Sequence, residues 1–475
     1  MTTLRPAAVL VLAAGEGTRM RSRRPKALHT IGGRSLVEHA VAAARGAHPD
    51  HLVVVVRHHR DLVAEHIAQL DPDVLVADQD EVPGTGRAVE CALASLPPDL
   101  DGTVLVTYGD VPLLTSETLL GLLDAHAATS AAVTLVTASL ADPTGYGRVL
   151  RGPDGGVSAI VEQQDATAEQ LGIAEVNSGL YAFDLAVLRE TLAEVGTHNA
   201  QGEKYLTDVV GIAHQRGLTV RAHPVEDVWQ TEGVNDRIQL ARLGAELNRR
   251  TLERIMRDGA TVVDPATTWI DAMVTVGTDT VIRPHTQIHG ASTIGADCVI
   301  GPDTTLEDVE VGDGATVVRT QALLAVIGPG ANVGPFSYLR PGTELGPQGK
   351  IGGFVETKNA QIAAGAKVPH LTYAGDVTIG EKANIGAGTV FANYDGVAKH
   401  HSSVGARTFI GSNSVIVAPV DIAGNAYVAA GSAITDDVKG GDLAIARERQ
   451  RNIEGWVARR QDRRDGDGGA SEATT

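Results

Sequence analysis

The chain of 475 residues carries 40 Lys and Arg against 58 Asp and Glu, so its formal net charge is −18 at neutral pH. This acidic balance argues against non-specific binding to nucleic acid or to anionic membranes. The length predicts about two or three domains, each able to bury its own core. The two cysteines, Cys91 and Cys298, form neither a disulfide framework nor a metal-ligand pattern.

Residues 1–237 alternate short aliphatic runs with amphipathic segments. Runs rich in β-branched residues predict strands at 9–11, 52–56, 74–77, 104–106 and 133–136. Helical patterns such as residues 36–44 and 116–126 lie between them. This alternation predicts an α/β domain with a mostly parallel sheet and helices on both faces. Ligands of such domains bind beyond the carboxyl ends of the strands.

The first predicted strand leads into a glycine-rich turn that contains Gly15, Gly17 and Arg19, and Lys26 follows. Backbone N–H groups of such a turn can surround a phosphate chain, while the Arg and Lys neutralise its charge. A purely structural turn is the alternative, but it would leave Arg19 and Lys26 unexplained. The apolar run 7–14 is too short to span a membrane and has no signal-peptide cleavage pattern, so we predict a cytoplasmic protein without a membrane partner.

Residues 237–258 predict one long helix. Apolar side chains at positions 240, 243, 247, 252, 255 and 256 stand among many charges, which indicates a narrow apolar stripe. We expect residues 238–258 to be a linker helix between domains. A packed core helix is the alternative, and the arginines argue against it.

From residue 276 to residue 434 an aliphatic residue followed by a small one recurs with a period of six, as in Ile294-Gly295, Ile300-Gly301 and Ile379-Gly380. This period is typical of a parallel β-helix, in which three units close one triangular coil. A core one side chain wide explains why the chain has 54 glycines and only 3% aromatic residues. A glycine-rich sandwich is the alternative, but so many units in phase argue against accidental spacing.

The repeat is interrupted at residues 358–376 and again at 393–399, and interruptions in solenoid proteins map to functional loops. The first interruption contains His370. Polar and basic residues accompany it on an otherwise aliphatic prism: Arg340, Lys358, Tyr373, Asn384, Asn393, Tyr394 and Lys399. A single histidine in a loop is usually a surface residue, but this set favours a site. Composition predicts a disordered tail at 461–475.

The glycine-rich turn and Lys26 resemble the sugar-nucleotidyltransferase family. Further motifs agree: Gly84-Thr85-Gly86, residues 108–113, residues 142–148, Glu162, Asn177-Ser178-Gly179 and residues 232–235. Together the two halves are similar to the bifunctional N-acetylglucosamine-1-phosphate uridyltransferase/glucosamine-1-phosphate acetyltransferase family, from about residue 6 to residue 456. The resemblance implies a Rossmann-like uridylyltransferase domain at 1–237, followed by a left-handed parallel β-helix acetyltransferase domain at 259–460.

The resemblance implies two reactions that make UDP-N-acetylglucosamine for peptidoglycan and lipopolysaccharide synthesis. Acetyl-CoA acetylates glucosamine-1-phosphate, and UTP then uridylylates the N-acetylated sugar phosphate. The implied nucleotide-sugar ligands are Leu12, Ala13, Ala14, Gly15, Lys26, Gln79, Gly84, Thr85, Tyr108, Gly109, Asp110, Gly147, Glu162, Asn177 and Asn235. Arg340, Lys358, Tyr373 and Asn384 would hold the amino-sugar phosphate, and Ala387, Asn393, Tyr394, Ser412, Ala430 and Arg447 would line the acetyl-CoA site.

The catalytic groups implied by the resemblance are His370 as general base, Asn393 at the oxyanion, and Arg19 with Lys26 at the phosphates. Mg²⁺ would lie on Asp110 and Asn235, and the β-helices would form a homotrimer with acetyl-transfer sites between neighbours. From its position after a strand alone, Asp110 could instead be a loop carboxylate satisfied by its neighbours.

Two other functions remain open at this point. One is a nucleotidyltransferase for another sugar or base; the other is a regulatory scaffold, because translation-factor exchange subunits join similar domains for interaction only. The chain departs from the family pattern in three places: Val82-Pro83, Ala392 and Glu448.

Overall fold

The computed structural model describes residues 4–467, which cluster into two compact units. The first runs to Asp258 and includes Trp269–Val274 and Ile288–Ala291. The second comprises Gly259–Thr268, Thr275–Gln287 and the chain from Ser292 onward. None of the described helices is long and apolar enough to cross a membrane.

The first unit is built on a mixed sheet. The strands of this unit are β1 (Ala8–Leu12), β2 (Thr30–Ile31), β3 (Arg34–Ser35), β4 (His51–Val56), β5 (Leu75–Asp78), β6 (Thr103–Tyr108), β7 (Val133–Ser139), β8 (Arg148–Arg151), β9 (Val157–Val161), β10 (Glu175–Asp184) and β11 (Val220–Pro224). Strands β2 and β3 form a separate two-stranded sheet. The main sheet has the order β11-β7-β10-β6-β1-β4-β5. Its neighbours are parallel except for β10, which is antiparallel to both β6 and β7. All five predicted strands are present.

Helices cover both faces of this sheet. They are α1 (Leu36–Gly46), α2 (Arg60–Leu70), α3 (Thr85–Ala94), α4 (Ser116–Thr129), α5 (Ala168–Leu171), α6 (Leu185–Leu192), α7 (Asp208–Gln215) and α8 (Arg237–Arg257), with 3₁₀ turns at Thr18–Met20, Lys26–Leu28 and Val228–Thr231. Successive side chains of a strand point to opposite faces. Leu10 therefore packs into one core cluster with Val89 of α3, while Val9 and Val11 pack into another with Val37 of α1. The predicted two-sided α/β architecture is confirmed.

Helix α8 buries one face within the first unit. The side chain of Asp236 accepts a hydrogen bond from the Gln239 N–H and begins the helix. Its buried residues are Leu243, Gly244, Glu246, Asn248, Thr251, Leu252 and Ile255. Arg249 and Arg250 both donate hydrogen bonds to the Glu246 carboxylate. These hydrogen bonds, above all that of Arg249, lower the pKa of Glu246 to about 2. Arginines that pair with Glu246 are compatible with a packed face, and the assignment of residues 238–258 as a linker helix stays a prediction.

The second unit is a left-handed parallel β-helix of short strands. One sheet contains β12 (Thr261–Val262), β15 (Val281–Ile282), β18 (Val299–Ile300), β21 (Thr316–Val317), β24 (Asn332–Val333), β27 (Lys350–Gly353), β29 (Lys367–His370), β31 (Asn384–Ile385), β34 (Phe409–Ile410), β37 (Tyr427–Val428) and β39 (Leu443–Ala444), in that order. The remaining strands up to the second interruption are β13 (Trp269–Ile270), β14 (Thr275–Val276), β16 (Thr286–His289), β17 (Thr293–Ile294), β19 (Thr304–Glu307), β20 (Glu310–Val311), β22 (Thr320–Leu323), β23 (Ala325–Ile327), β25 (Ser337–Leu339), β26 (Thr343–Leu345), β28 (Glu356–Ile362), β30 (Tyr373–Ile379) and β32 (Val390–Ala392). Beyond it come β33 (Ser402–Val404), β35 (Val415–Val417), β36 (Asp421–Ile422) and β38 (Ala433–Ile434).

The aliphatic residue of each hexapeptide stacks on its equivalent in the next coil. Ile300 pairs with Val317, and Val317 pairs with Val333, in parallel register. All three are buried. Gly312 shows why the next position is small: a Cβ there would lie 2.7 Å from the Pro329 nitrogen of the neighbouring coil. The predicted β-helix is confirmed.

Helix α9 (Trp456–Asp467) extends into the segment predicted to be disordered. The reason is local, because the first two turns of the helix contain alanine, arginine and glutamine, which favour helix formation, and the guanidinium of Arg460 lies 5.0 Å from the Trp456 ring centroid one turn earlier. The disordered tail at 461–475 stays a prediction: α9 covers residues 461–467, and residues 468–475 lie outside the described residues.

Candidate active sites

A cavity of about 550 Å³ lies at the carboxyl ends of β1 and β6 in the first unit. The predicted residues that line it are Leu12, Ala13, Ala14, Gly15, Lys26, Gln79, Gly84, Thr85, Tyr108, Gly109 and Asp110. Sequence reasoning missed Arg57, His58 and Glu203, which also line it. Arg57 and His58 directly follow β4, so the rule that ligands bind at strand ends could have found them.

The β1 and β6 ends lie side by side because their strands are hydrogen-bonded neighbours. The N–H of Gly109 donates to the Leu12 carbonyl at 2.9 Å, and the N–H of Ala13 donates to the Val55 carbonyl at 2.9 Å. A Cβ at Gly109 would lie 2.9 Å from the Cβ of Ala13, so the close approach of these two turns requires glycine.

The charged residues of this site meet from distant parts of the chain. Lys26 Nζ pairs with the Asp110 carboxylate. Arg19 Nη2 donates to Asn235 Oδ1 at 2.9 Å, and the Val234 N–H donates to the Asp110 carbonyl at 2.9 Å. The structure therefore brings the predicted metal ligands Asp110 and Asn235 onto adjoining segments. The ion pair with Lys26 is also compatible with the alternative of a loop carboxylate satisfied by its neighbours.

Gln79 and Gly84 form a closed turn at the start of α3. Gln79 Nε2 donates to the carbonyls of Val82 at 2.9 Å and Gly84 at 3.1 Å. Gly84 has φ +115°, and a Cβ there would lie 2.3 Å from the Lys204 carbonyl oxygen, so only glycine fits. The departure at Val82-Pro83 leaves this turn intact. The N-terminus of α3, at Thr85, borders the cavity and attracts anions.

Three further predicted residues form a group beside this cavity rather than in its lining. The Asn177 N–H donates to the Gly147 carbonyl at 2.9 Å, and a Cβ at Gly147 would lie 3.5 Å from Glu162 Oε2. Thr207 Oγ1 donates to Glu162 Oε1 at 3.1 Å. Burial raises the pKa of Glu162, and the Thr207 hydroxyl opposes that shift. No sequence motif pointed to Thr207.

His370 ends β29 in the second unit and its side chain is exposed. Its carbonyl accepts the Thr372 hydroxyl at 2.8 Å and the Gly388 N–H at 3.3 Å, which holds the backbone in place. Across residues 4–467 the hydrogen bonds of His370 are those of its backbone, and its imidazole makes none.

A polar patch accompanies His370 on β28 and β30. Arg340 Nη1 donates to Glu356 Oε1 at 2.8 Å. Asn393 Nδ2 donates to Asp376 Oδ2 at 2.5 Å and to Tyr373 Oη at 3.4 Å. Glu356 pairs with Tyr373 in the ladder, so these contacts form one surface.

Two lysines add positive charge to this patch, because Lys358 lies on β28 opposite Gly375 of β30 and Lys399 approaches it. The ammonium of Lys399 lowers the pKa of Lys358. Two cations held so close favour an anionic ligand. Asn384 pairs with Lys367 on the adjoining sheet and has no described contact with the patch.

Four residues predicted to contact acetyl-CoA lie on successive coils along one corner of the prism: Ala387, Ser412, Ala430 and Arg447. The corner continues from His370, whose carbonyl bonds the residue after Ala387. The Asn413 N–H donates to the Ala387 carbonyl at 2.7 Å, and the Gly431 N–H donates to the Ser412 carbonyl at 2.8 Å.

Tyr394 lies apart from that corner, in the second interruption of the repeat. It is 60% exposed, and its hydroxyl donates to the Gly396 carbonyl at 2.7 Å. The backbone N–H of Ala398, then the His400 ring at 2.7 Å, hold the pKa of Asp395 well below its usual range. This loop is therefore held in one shape although it protrudes.

Comparison with known proteins adds family information to both sites. A MobA-like NTP transferase domain matches residues 9–176, and the hexapeptide repeat of succinyl-transferase matches residues 292–318 and 402–436. The chain is 61% identical to the bifunctional protein GlmU of Kineococcus radiotolerans, over 95% of this chain and 92% of that protein.

The chain belongs to the bifunctional GlmU family. It is also 59% identical to the GlmU of Pseudarthrobacter chlorophenolicus, over 95% of this chain and 92% of the relative, and 56% identical to that of Corynebacterium glutamicum, over 96% and 94%. GlmU enzymes are both acetyltransferases and uridyltransferases, and this chain makes UDP-N-acetylglucosamine, a precursor of cell-wall polymers. Family membership excludes the two alternatives, a transferase for another sugar or base and a non-catalytic scaffold.

Proposed function

We propose that the cavity at the ends of β1 and β6 is the uridylyl-transfer site and that the corner at His370 is the acetyl-transfer site. One observation carries this assignment: the residues predicted for each reaction gather in a different unit. The cavity is lined by phosphate-binding turns and cations, whereas the corner offers an exposed imidazole beside a basic patch. Two separate sites would let one chain run two reactions on the same sugar.

In the acetyl transfer, the C2 amine of glucosamine-1-phosphate attacks the thioester carbonyl of acetyl-CoA. His370 takes the proton from the amine as the C–N bond forms, and the C–S bond then breaks and releases the thiol. Asn393 stabilises the developing oxyanion, and Arg340, Lys358 and Tyr373 hold the sugar phosphate. The Asn393 amide is now bonded to Asp376, so it must turn from that carboxylate toward the substrate.

In the uridylyl transfer, a phosphate oxygen of N-acetylglucosamine-1-phosphate attacks the α-phosphorus of UTP, and pyrophosphate leaves. Charge neutralisation matters more here than proton transfer. Lys26 and Arg19 neutralise the negative charge of the phosphates. To do so they exchange their partners Asp110 and Asn235 for phosphate oxygens. Glu162, Asn177 and the small Gly147 are assigned to the sugar.

The family requires a divalent metal, and we propose Mg²⁺ on Asp110 and Asn235. Mg²⁺ favours one or two protein oxygens together with substrate phosphates. In the described part of the chain no group of three or more His, Cys, Asp or Glu could hold a metal by itself. One carboxylate and one amide oxygen on adjoining segments fit a metal that arrives with the nucleotide. It would neutralise phosphate charge during displacement.

Chelation of metal should therefore separate the two activities. With excess EDTA we expect pyrophosphate release to fall to background while thiol release from acetyl-CoA continues, because only the first site uses the metal. Restoring Mg²⁺ should restore pyrophosphate release. Equal loss of both activities, or loss of neither, would contradict a metal confined to the Asp110 site.

Acetyl transfer itself is tested by a free-thiol assay with acetyl-CoA. Thiol should form only when glucosamine-1-phosphate is present, and the product should then support pyrophosphate release from UTP. Thiol formation that is independent of the amino sugar would contradict the assignment. We also infer a cytoplasmic location, where both UTP and acetyl-CoA are available.

Hexapeptide β-helix domains commonly form trimers, and we propose a homotrimer for this chain. Three large apolar side chains are exposed in a line that leads to His370: Phe336 at 51%, Phe354 at 63% and Leu371 at 61%. The two phenylalanine rings stack with centroids 5.2 Å apart. A contiguous apolar ridge is costly in water and is typical of an interface.

Sedimentation equilibrium should therefore give a mass about three times the 49.4 kDa of one chain. Burial of the ridge should make the trimer persist at micromolar concentration. A monomer under those conditions would contradict acetyl-transfer sites between neighbouring prisms.

A further inference from the structure

Residues 203–207, the strap, run between the nucleotide turn and the sugar group in the first unit. The Lys204 N–H donates to the Pro83 carbonyl at 3.0 Å, and the Lys204 carbonyl accepts the Gly86 N–H at 2.8 Å. The Leu206 N–H donates to Thr85 Oγ1 at 3.1 Å. The strap is thus hydrogen-bonded to Pro83, Thr85 and Gly86, which belong to the turn that borders the cavity.

The next residue of the strap bonds to the sugar group. Thr207 is 4% exposed and its hydroxyl donates to Glu162 Oε1 at 3.1 Å. Within residues 4–467 no other hydrogen bond reaches that carboxylate. The second carboxylate oxygen, Oε2, borders the space left by the missing side chain of Gly147.

We propose that Thr207 is a positioning residue for Glu162 and that the strap ties the sugar subsite to the nucleotide turn. The inference rests on the proposed function, because Glu162 is assigned there to the sugar. A single hydroxyl fixes one carboxylate oxygen and leaves the other free to accept a sugar hydroxyl. Leu206 and Thr207 are consecutive, so a ligand that moves Thr85 also moves the group that holds Glu162.

The chemistry explains why threonine suits this position. A buried carboxylate with no partner pays the full cost of desolvation, and it can lower that cost only by turning away or by binding a proton. Either change would remove the acceptor from the sugar. The strap's backbone bonds do not depend on the Thr207 side chain, so the hydroxyl can be removed without removing the clamp on the nucleotide turn.

The test compares Thr207→Val with Thr191→Val in the uridylyl-transfer assay. Thr191 is a matched control, since it is buried and its hydroxyl donates to the carbonyls of Val187 and Leu188, both within α6. Thr207→Val should raise KM for N-acetylglucosamine-1-phosphate about tenfold, as expected for a lost hydrogen bond to a charged group, and leave KM for UTP nearly unchanged. Thr207→Ser should restore the wild-type KM, and Thr191→Val should change neither KM.

Glu162→Gln separates failure of this inference from failure of the site assignment. If Glu162→Gln leaves KM for the sugar phosphate unchanged, the sugar assignment is wrong and the inference fails with it. If Glu162→Gln raises that KM but Thr207→Val does not, only the positioning role is overturned. Equal increases in both KM values for Thr207→Val would indicate a purely structural role. Should Thr207→Val not fold, Thr207→Ala takes its place in the same comparison.

Discussion

Replacement of His370 by alanine is expected to lower acetyl transfer by about 10²- to 10⁴-fold, the usual contribution of a general base. Pyrophosphate release from UTP and N-acetylglucosamine-1-phosphate should be unchanged, because the nucleotide cavity lies in the other unit. Thiol release and pyrophosphate release, measured on the same preparation, check both halves of this expectation.

His285→Ala is the matched control for this substitution. His285 is also exposed on the β-helix but lies several coils before the polar patch, so both activities should stay at the wild-type level. Loss of acetyl transfer in both variants would point to a general effect on the prism. Wild-type acetyl transfer in His370→Ala would remove the imidazole from the mechanism.

Replacement of Asp110 by alanine is expected to have the opposite effect. It removes the only carboxylate proposed for the metal and leaves Lys26 without its partner. Uridylyl transfer should fall by about 10²- to 10³-fold, since charge stabilisation at the phosphates is lost. Acetyl transfer should remain at the wild-type level. Parallel thiol and pyrophosphate assays again measure both.

Asp124→Ala is the control, because Asp124 is an exposed acid on α4 of the same unit. It should change neither activity. Asp110→Asn adds a finer comparison, since it keeps the size of the side chain and removes its charge. If Asp110→Asn retained full uridylyl transfer, the carboxylate would be no more than a loop residue paired with Lys26.

Most of the lining of the nucleotide cavity can be predicted from sequence motifs. Most residues predicted to bind the nucleotide line one cavity, because several of them end or follow β1, β5 and β6, and parallel strands end at one edge of the sheet. Arg19 and Asn235 were also named, but their contact depends on the path of the chain between β11 and α8. Glu203 escaped notice because it stands in a loop with no motif or periodicity of its own.

The same difference appears in the helices. The helical pattern of α8 was evident, yet its buried face was not, since arginines that pair with Glu246 look the same in sequence as arginines in solvent. Charged residues dominate α9, and a composition of this kind predicts disorder although alanine, arginine and glutamine favour a helix.

The β-helix and the glycine-rich turn after β1 are predictable from sequence, because both depend on neighbours close in the chain. Each hexapeptide stacks its aliphatic residue on the equivalent residue of the next coil. A tight turn needs its glycine whatever structure surrounds the turn. Which side chains meet across the sheet depends instead on how distant segments pack in the folded chain. Strand β10 lies between β6 and β7, and the strap bonds both Thr85 and Glu162, contacts between segments far apart in sequence. A buried hydroxyl with one long-range partner leaves no local pattern, so Thr207 could be found only in the folded chain.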